Sequence, residues 1–237
     1  MGSDSLSIAE LAKYLQRDAR DLEKLASQGR LPARKVAGDW RFSRTEVNDW
    51  LEREFSGLTD RQLEGVEAGV QGHVVDTVKL EVLVSDLMSP ETTAVPLNAR
   101  TAPGVLKELV EIANGNWQVY QPDKVLAAVK AREEMYPTAL PGGVAIPHPR
   151  YPLAESLGDS VLAFGRTYSE IPFGGGRHQL TDLFFLVLCR DARTHLQVLA
   201  RLSRMFQREG FLDRLRTCES PAEALRVISE TEDEVLG

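Results

Sequence analysis

Cysteine is scarce in this 237-residue chain, with two in all, Cys189 and Cys218. Two cysteines 29 positions apart form neither a disulfide framework nor a zinc ligand pattern, which points to a reducing compartment. No run of 18 apolar residues occurs, so no membrane span is expected. The opening MGSDSLS has neither the basic nor the apolar region of a signal peptide. Together these features lead to the expectation of a cytoplasmic protein with no membrane partner. There is no overall excess of basic residues: the formal net charge is -7, against a generally basic nucleic-acid binder. Residues 1–55 are balanced, so all the excess acid lies beyond them. Histidine is nearly as rare as cysteine, with four in the chain.

What is present is 43% apolar and 27% charged residues, the composition of a packed protein long enough for one large or two modest domains. Ser7 and Glu10 have capping-box spacing before a short helix to Leu15 with Ile8, Leu11 and Leu15 on one face. Asp18 is placed to cap a second helix bearing Leu22 and Leu25, with Gly29 as its stop. So short a junction is that of a helix-turn-helix. Residues 33–37, the turn Gly38-Asp39 and Trp40-Arg41-Phe42 read as a hairpin, and Ser43 with Glu46 repeats the capping-box signal before a third helix. Trp40 and Trp50 are expected in its core. Residues 55–79 are acidic and glycine-punctuated. One short helix can begin near Thr59, but no apolar core is evident, and the segment reads as a linker.

Patterning returns from Val82. VSDLMSPE suggests a short helix ended by Pro90; further helices are expected near 103–114 and 122–133, from His195 to Phe206, and over Pro221–Ser229. Strands are expected at Gly143–Ile146, Ser160–Phe164 and Asp182–Cys189. The last is apolar without alternation, as in a strand covered on both faces, with Cys189 in the core. Mixed helices and buried strands imply an α/β layered domain. The run at 174–176 lacks the Lys-Ser/Thr of a phosphate loop and reads as a flexible connection. His73 and His178 are expected to face solvent.

The most informative stretch is REEMYPTALPGGVAIPHPR, residues 132–150. It leaves a helix at Arg132, crosses a Pro/Gly loop, enters a short apolar strand and presents His148 between two prolines that restrict the backbone. His195 opens a later amphipathic helix. Zinc is a poor reading of the two histidines, because no third His or Cys ligand is evident; no metal or cofactor is expected.

Two resemblances follow from these residues. LSIAELAKYL with LEKLASQGRLPARKVAGDWRFSRTEVNDWL resembles the winged helix-turn-helix of the excisionase/MerR-like family. Residues from about 80 to 232 look like enzyme IIA of the mannitol/fructose/nitrogen-regulatory type from the phosphoenolpyruvate-dependent phosphotransferase system. The carrying motifs are Arg-Glu-x-Met-x-x-Thr, Gly-Val-Ala-Ile-Pro-His and His-Leu-x-x-Leu-x-x-Leu, in order. The implied fold is α/β, a mixed sheet flanked by helices, with a small N-terminal winged helix-turn-helix. The implied boundaries are 1–54, a linker at 55–79, and 80–237.

The second resemblance implies that His148 accepts a phosphoryl group through Nε2, that Arg132 pairs with the phosphate and that His195 is the second active-site imidazole. The chemistry suits these types: imidazole titrates near neutrality, with a pKa of about 6.5, and keeps a lone pair for attack. A forked guanidinium matches phosphoryl oxygens. His195 in a first helical turn lies beside unpaired N–H groups and partial positive charge, which favour an anion and a neutral ring. Thr138 offers a hydroxyl donor. The loop departs from the family pattern: Pro137 precedes Thr138, Pro141-Gly142-Gly143 stands for Gly-x-Gly, and Pro149 removes one N–H beside the histidine.

For the N-terminal module, Arg20 and Lys24 on the second helix and Lys35 and Arg41 on the wing are the DNA-contact candidates. A protein partner is the second expectation there, since Asp18, Asp21 and Glu23 share that helix. The whole reads as a cytoplasmic bacterial regulator. It would accept phosphate from an HPr-like carrier and couple it to a DNA- or protein-binding module, as a phosphotransferase component without turnover of a small molecule. The alternative is an interaction protein that keeps the enzyme IIA fold without phosphotransfer.

Overall fold

The computed structural model describes residues 5–71, 82–174 and 179–237. His73, His178, residues 72–79 of the expected linker and most of the 174–176 glycine run lie outside them. The chain divides into two compact units, one of residues 1–81 with 199–204, the other of 82–198 with 205–237.

The first unit opens with β1 (Ser5–Ser7) and α1 (Ile8–Leu15). The Ser7–Glu10 capping box forms in both directions, with the Glu10 carboxylate accepting from the Ser7 amide at 2.8 Å. Asp18 caps α2 (Ala19–Ser27) through the Arg20 amide at 2.8 Å. Next come β2 (Arg34–Val36), β3 (Asp39–Ser43) and α3 (Arg44–Glu54). The strands form an antiparallel sheet in the order β1-β3-β2, so β1, missed in the sequence, completes the wing. Three residues are too few to show an apolar alternation. The expected second capping box does not form. Ser43 makes no side-chain cap bond, and Glu46 pairs instead with Arg34 across the wing at 3.2 Å. Leu11, Leu22, Leu31, Phe42, Val47 and Leu51 are fully buried. Each such side chain contributes about 1.5–3 kcal/mol of transfer free energy. Trp50 joins the core, whereas Trp40 is half-buried with the Lys35 ammonium 4.8 Å from its ring centroid.

Residues 60–71, inside the segment read as linker, form α4 (Asp60–Gln71). Its buried face is Leu63, Val66 and Val70, a 3-4 helical spacing interleaved with Gly65 and Gly69. The glycines hide the pattern in the sequence, yet they admit the neighbouring backbone. A Cβ on Gly69 would stand 2.2 Å from the carbonyl oxygen of Tyr14. Glu67 on α4 is buried in this unit, where Arg201 Nε and Nη2 donate to one of its oxygens at 2.8 and 2.7 Å. Arg204 reaches Asp60 at 2.8 Å. Burial pushes the Glu67 carboxyl above its usual range despite both arginines.

The second unit contains β4 (Thr93–Leu97), α5 (Ala102–Ala113), α6 (Pro122–Met135), β5 (Ala139–Leu140), β6 (Val144–Ala145), β7 (Val161–Pro172) and β8 (Leu180–Leu188). It then continues with α7 (Ala192–Phe206), whose residues 199–204 belong to the first unit, α8 (Phe211–Thr217) and α9 (Pro221–Leu236). The sheet order is β4-β7-β8-β6-β5. The β4/β7 and β6/β8 pairs are parallel and the other two antiparallel, so the sheet is mixed. Leu183 to Leu188 are all fully buried, as a strand covered on both faces requires. Pro90 begins a second short turn of 3-10 helix, Pro90–Thr92, where it was expected to close the first. At the unit's edge the buried Glu232 of α9 accepts from the amides of Val84 and Ser85 at 2.6 and 2.9 Å, tying the start of the unit to its last helix. No helix among the described residues is long and apolar enough to cross a membrane.

Gly69→Ala should force α4 away from α1 and destabilise the first unit by about 1–3 kcal/mol, the usual cost of overpacking. Thermal unfolding of the full chain measures it. Gly57→Ala, where an added Cβ meets nothing within 4 Å, is the control expected to stay within about 0.5 kcal/mol.

Candidate phosphoryl-acceptor site

The parallel pair β6/β8 places the site. Val144 and Ala145 stand opposite Leu183 and Phe184, and the amide of Val187 donates to the carbonyl of Pro147 at 2.9 Å. This carries the Ile146-Pro147-His148 segment along β8 beyond the end of β6. His148 Nδ1 lies 2.7 Å from the carbonyl oxygen of Ile146. A carbonyl only accepts, so Nδ1 carries the proton and the lone pair is left on Nε2. Proline at 147 restricts the chain between the two groups of this bond.

His195 stands across from it. The two ring centroids are 5.0 Å apart and the planes are inclined by 58°. The structure thus brings together two imidazoles that are 47 positions apart in the chain. The start of α7 differs from the expectation of open N–H groups. Asp191 precedes the helix, and its carboxylate accepts from the amide and hydroxyl of Thr194 at 2.9 and 2.8 Å. One of the first-turn donors is therefore satisfied within the chain, while the His195 amide makes its helical bond to the Asp191 carbonyl at 3.1 Å.

Arg132 lies in the last turn of α6 and is buried, its Nη1 donating to the carbonyl of Tyr136 at 2.7 Å. That bond folds the guanidinium over the helix end, toward the chain leading into β5. Thr138 is buried on the same stretch, and its carbonyl accepts from the Ile146 amide at 3.2 Å. Hence the Arg132 and His148 segments are joined through one antiparallel pair.

Sequence reasoning missed Glu133. Its carboxylate accepts from the Thr138 amide at 3.1 Å and from the Thr138 hydroxyl at 2.6 Å. The hydroxyl has one hydrogen, and here it is given to Glu133 while its oxygen can still accept. Burial holds the Glu133 carboxyl above its ordinary range, opposed by these bonds and by Arg132. The signal was present in the Arg-Glu-x-Met-x-x-Thr motif, where the second position looks like a solvated helix-end charge. Cys189, expected in the core, lies there, and burial pushes its thiol far up.

In the first unit Arg20, Lys24 and Lys35 are exposed and Arg41 is half-buried. Arg20 and Lys24 belong to α2, while Lys35 and Arg41 belong to the two strands of the wing. Arg34, directly opposite Arg41 in the hairpin, is drawn aside to Glu46.

The family described as phosphoenolpyruvate-dependent sugar phosphotransferase system EIIA 2 matches residues 86–231, and a helix-turn-helix domain family matches residues 5–54. The first match covers more than half of the chain, which therefore belongs to the EIIA type-2 family. The nitrogen regulatory protein of Escherichia coli K12 is 28% identical over 151 residues, 63% of this chain and 91% of that one. The fructose-specific EIIABC component of Bacillus subtilis is 24% identical over 149 residues, 62% of this chain, but the match spans only 23% of that longer protein. Among solved structures, nitrogen regulatory protein IIA-Ntr from Neisseria meningitidis superposes with a TM-score of 0.55 at 22% identity, over 61% of this chain and 98% of that one. That likeness bears out the fold, a mixed sheet flanked by helices.

A raised carboxyl pKa means the folded chain binds its proton more tightly than the unfolded chain. Stability from this group is then full below the ordinary value of 4.5 and is lost as pH rises through the folded pKa. Glu133→Gln is expected to flatten the fall in stability above pH 4.5, measured by urea unfolding across pH. An unchanged slope would contradict the role of burial given to Glu133.

Proposed function

We propose that this chain is a regulatory phosphocarrier whose His148 takes a phosphoryl group from a phosphorylated HPr-like protein. Its N-terminal winged helix-turn-helix binds DNA, or a regulatory protein, in response. The observation that carries this reading is the His148 Nδ1 bond to the Ile146 carbonyl, which leaves Nε2 as the nucleophile. In the step, Nε2 attacks phosphorus as the donor's N–P bond breaks, and that bond's electron pair returns to the donor imidazole. The loose transition state spreads negative charge over three oxygens. Arg132 supplies a permanently charged fork for them, and His195 supplies an N–H donor. No small molecule is turned over, and the working compartment is the cytoplasm. Phosphate on His148 adds negative charge to the second unit, and that charge is the signal.

One observation favours a second reading. His148 and His195 are each 5% exposed and Arg132 is 7% exposed. Such low exposure also suits a fold kept for binding, and on this second reading the EIIA fold serves binding alone.

Incubation with phosphorylated HPr-type carriers separates the two. Phosphotransfer predicts acid-labile label on the wild type, none on His148→Ala, and a rate lower by about 10²-fold in Arg132→Ala, comparable to loss of one donor to developing charge. An unlabelled wild type across several donors supports the binding reading.

For the first unit, binding to genomic DNA fragments should weaken steeply with salt. Lys24→Ala and Lys35→Ala should each lower the salt slope by about 1, as for a lost phosphate contact. Absence of binding above background at low salt would leave the protein partner as the role of this unit.

A further inference from the structure

The turn that leads into the histidine strand is held from α8 by a single guanidinium. Arg216 Nε and Nη2 donate to the two oxygens of Asp182 on β8 at 2.8 and 2.9 Å, a fork-to-fork pair. Nη2 also donates to the carbonyl of Gly142, and Nη1 donates to Asp213 at 3.0 Å. On the far side of the turn, the carbonyl of Gly143 accepts from the amides of Asp182 and Leu183 at 3.0 and 3.1 Å. The Gly142–Gly143 turn is thus gripped through both carbonyls, with Asp182 shared between the two grips.

The glycines answer to this clamp. Both have left-handed backbones, φ +91° and +76°. A Cβ on Gly143 would stand 2.9 Å from Arg216 Nη2 and 3.1 Å from an Asp182 oxygen. The loop's departure to Pro141-Gly142-Gly143 places two bare residues where the guanidinium comes down. From Gly143 the chain has only Val144 and Ala145, both fully buried, before Ile146, whose carbonyl accepts the hydrogen bond from His148 Nδ1. A β-strand transmits a shift of its first residue along its length, since its ladder bonds fix register. The carbonyl of Arg216 itself accepts from Arg166 Nη1 on β7, so the clamp is anchored to the sheet at two strands.

We propose that Arg216 is a positioning residue for His148: forked on Asp182, it fixes the Gly142–Gly143 turn and through it the Ile146 carbonyl that selects the imidazole tautomer. The proposal rests on the phosphocarrier reading only in making Nε2 the atom that must be presented. Lysine in place of Arg216 keeps the charge and loses the fork, so it should not substitute.

The test is ¹⁵N NMR of the full chain's imidazoles across pH, with His148→Ala identifying the signals. Wild type is expected to show a protonated Nδ1 and an unprotonated Nε2. Arg216→Lys and Arg216→Gln should both mix in the other tautomer and move the His148 titration midpoint. Where donor is supplied, turnover should fall by about 10–100-fold with KM for the donor unchanged, the scale of an ångström-level misplacement. Arg214→Gln on the same helix breaks a surface pair with Glu230 and serves as the control. It is expected to lower thermal stability while leaving the ring signals alone. Folded Arg216 variants with wild-type ring shifts would overturn the proposal, as would equal shifts in Arg214→Gln. If ring shifts respond to Arg216 while no donor labels the wild type, the phosphocarrier reading fails and the positioning role stands.

Discussion

One hydrogen bond, from His148 Nδ1 to the carbonyl of Ile146, decides what the second unit can do chemically. An imidazole free to rotate offers either nitrogen to an electrophile. Tied to a main-chain oxygen two residues back, it offers one, in one direction. Neighbouring groups hold that segment in place. Pro147 limits the backbone between the bonded groups, Val187 takes the next carbonyl into the sheet, and β8 is packed on both faces. The second imidazole, 5.0 Å away, comes from a different element, α7, so the pair exists only in the folded unit.

The charged groups of the site are arranged by burial as much as by pairing. Glu133 uses its carboxylate on the backbone and hydroxyl of Thr138, which stiffens the passage from α6 to β5 and leaves the neighbouring Arg132 beside the chain it must steer. The same logic recurs at Glu232, a buried carboxylate whose partners are two amides at the start of the unit. A buried carboxylate with such donors organises a loop at a cost in desolvation, and that cost is visible in the raised pKa of Glu133. It also makes the loop's stability depend on pH, which a surface ion pair would do only weakly.

The elements that the sequence announced best were those with a local chemical signature. Ser7 with Glu10 and Asp18 cap as their spacing implies, because the bonds close within three residues. The unbroken apolar run of β8 is central and buried, and His148 falls beyond a short strand as Pro147 and Ile146 suggested. Two of the failures share a cause in partners distant along the chain. Ser43 and Glu46 have the same spacing as Ser7 and Glu10, but Arg34 captures Glu46 from another strand. The face of α4 is diluted by two glycines whose use is evident only once the Tyr14 backbone lies against one of them. Short elements such as β1, β4 and α8 carry too few residues to show a period. Glu133 was legible as a letter in a motif, but its partner Thr138 lies across a turn. Of the candidate site, the two histidine rings are brought 5.0 Å apart, whereas Arg132 bonds the Tyr136 carbonyl and Thr138 the Glu133 carboxylate.

The most direct test of the central claim is the identity of the bonded nitrogen. With the chain phosphorylated by a carrier protein and uniformly labelled with ¹⁵N, phosphorus–nitrogen coupling should appear at Nε2 of His148 while Nδ1 keeps its proton. Coupling at Nδ1, coupling at His195, or no phosphoramidate from any donor would contradict it.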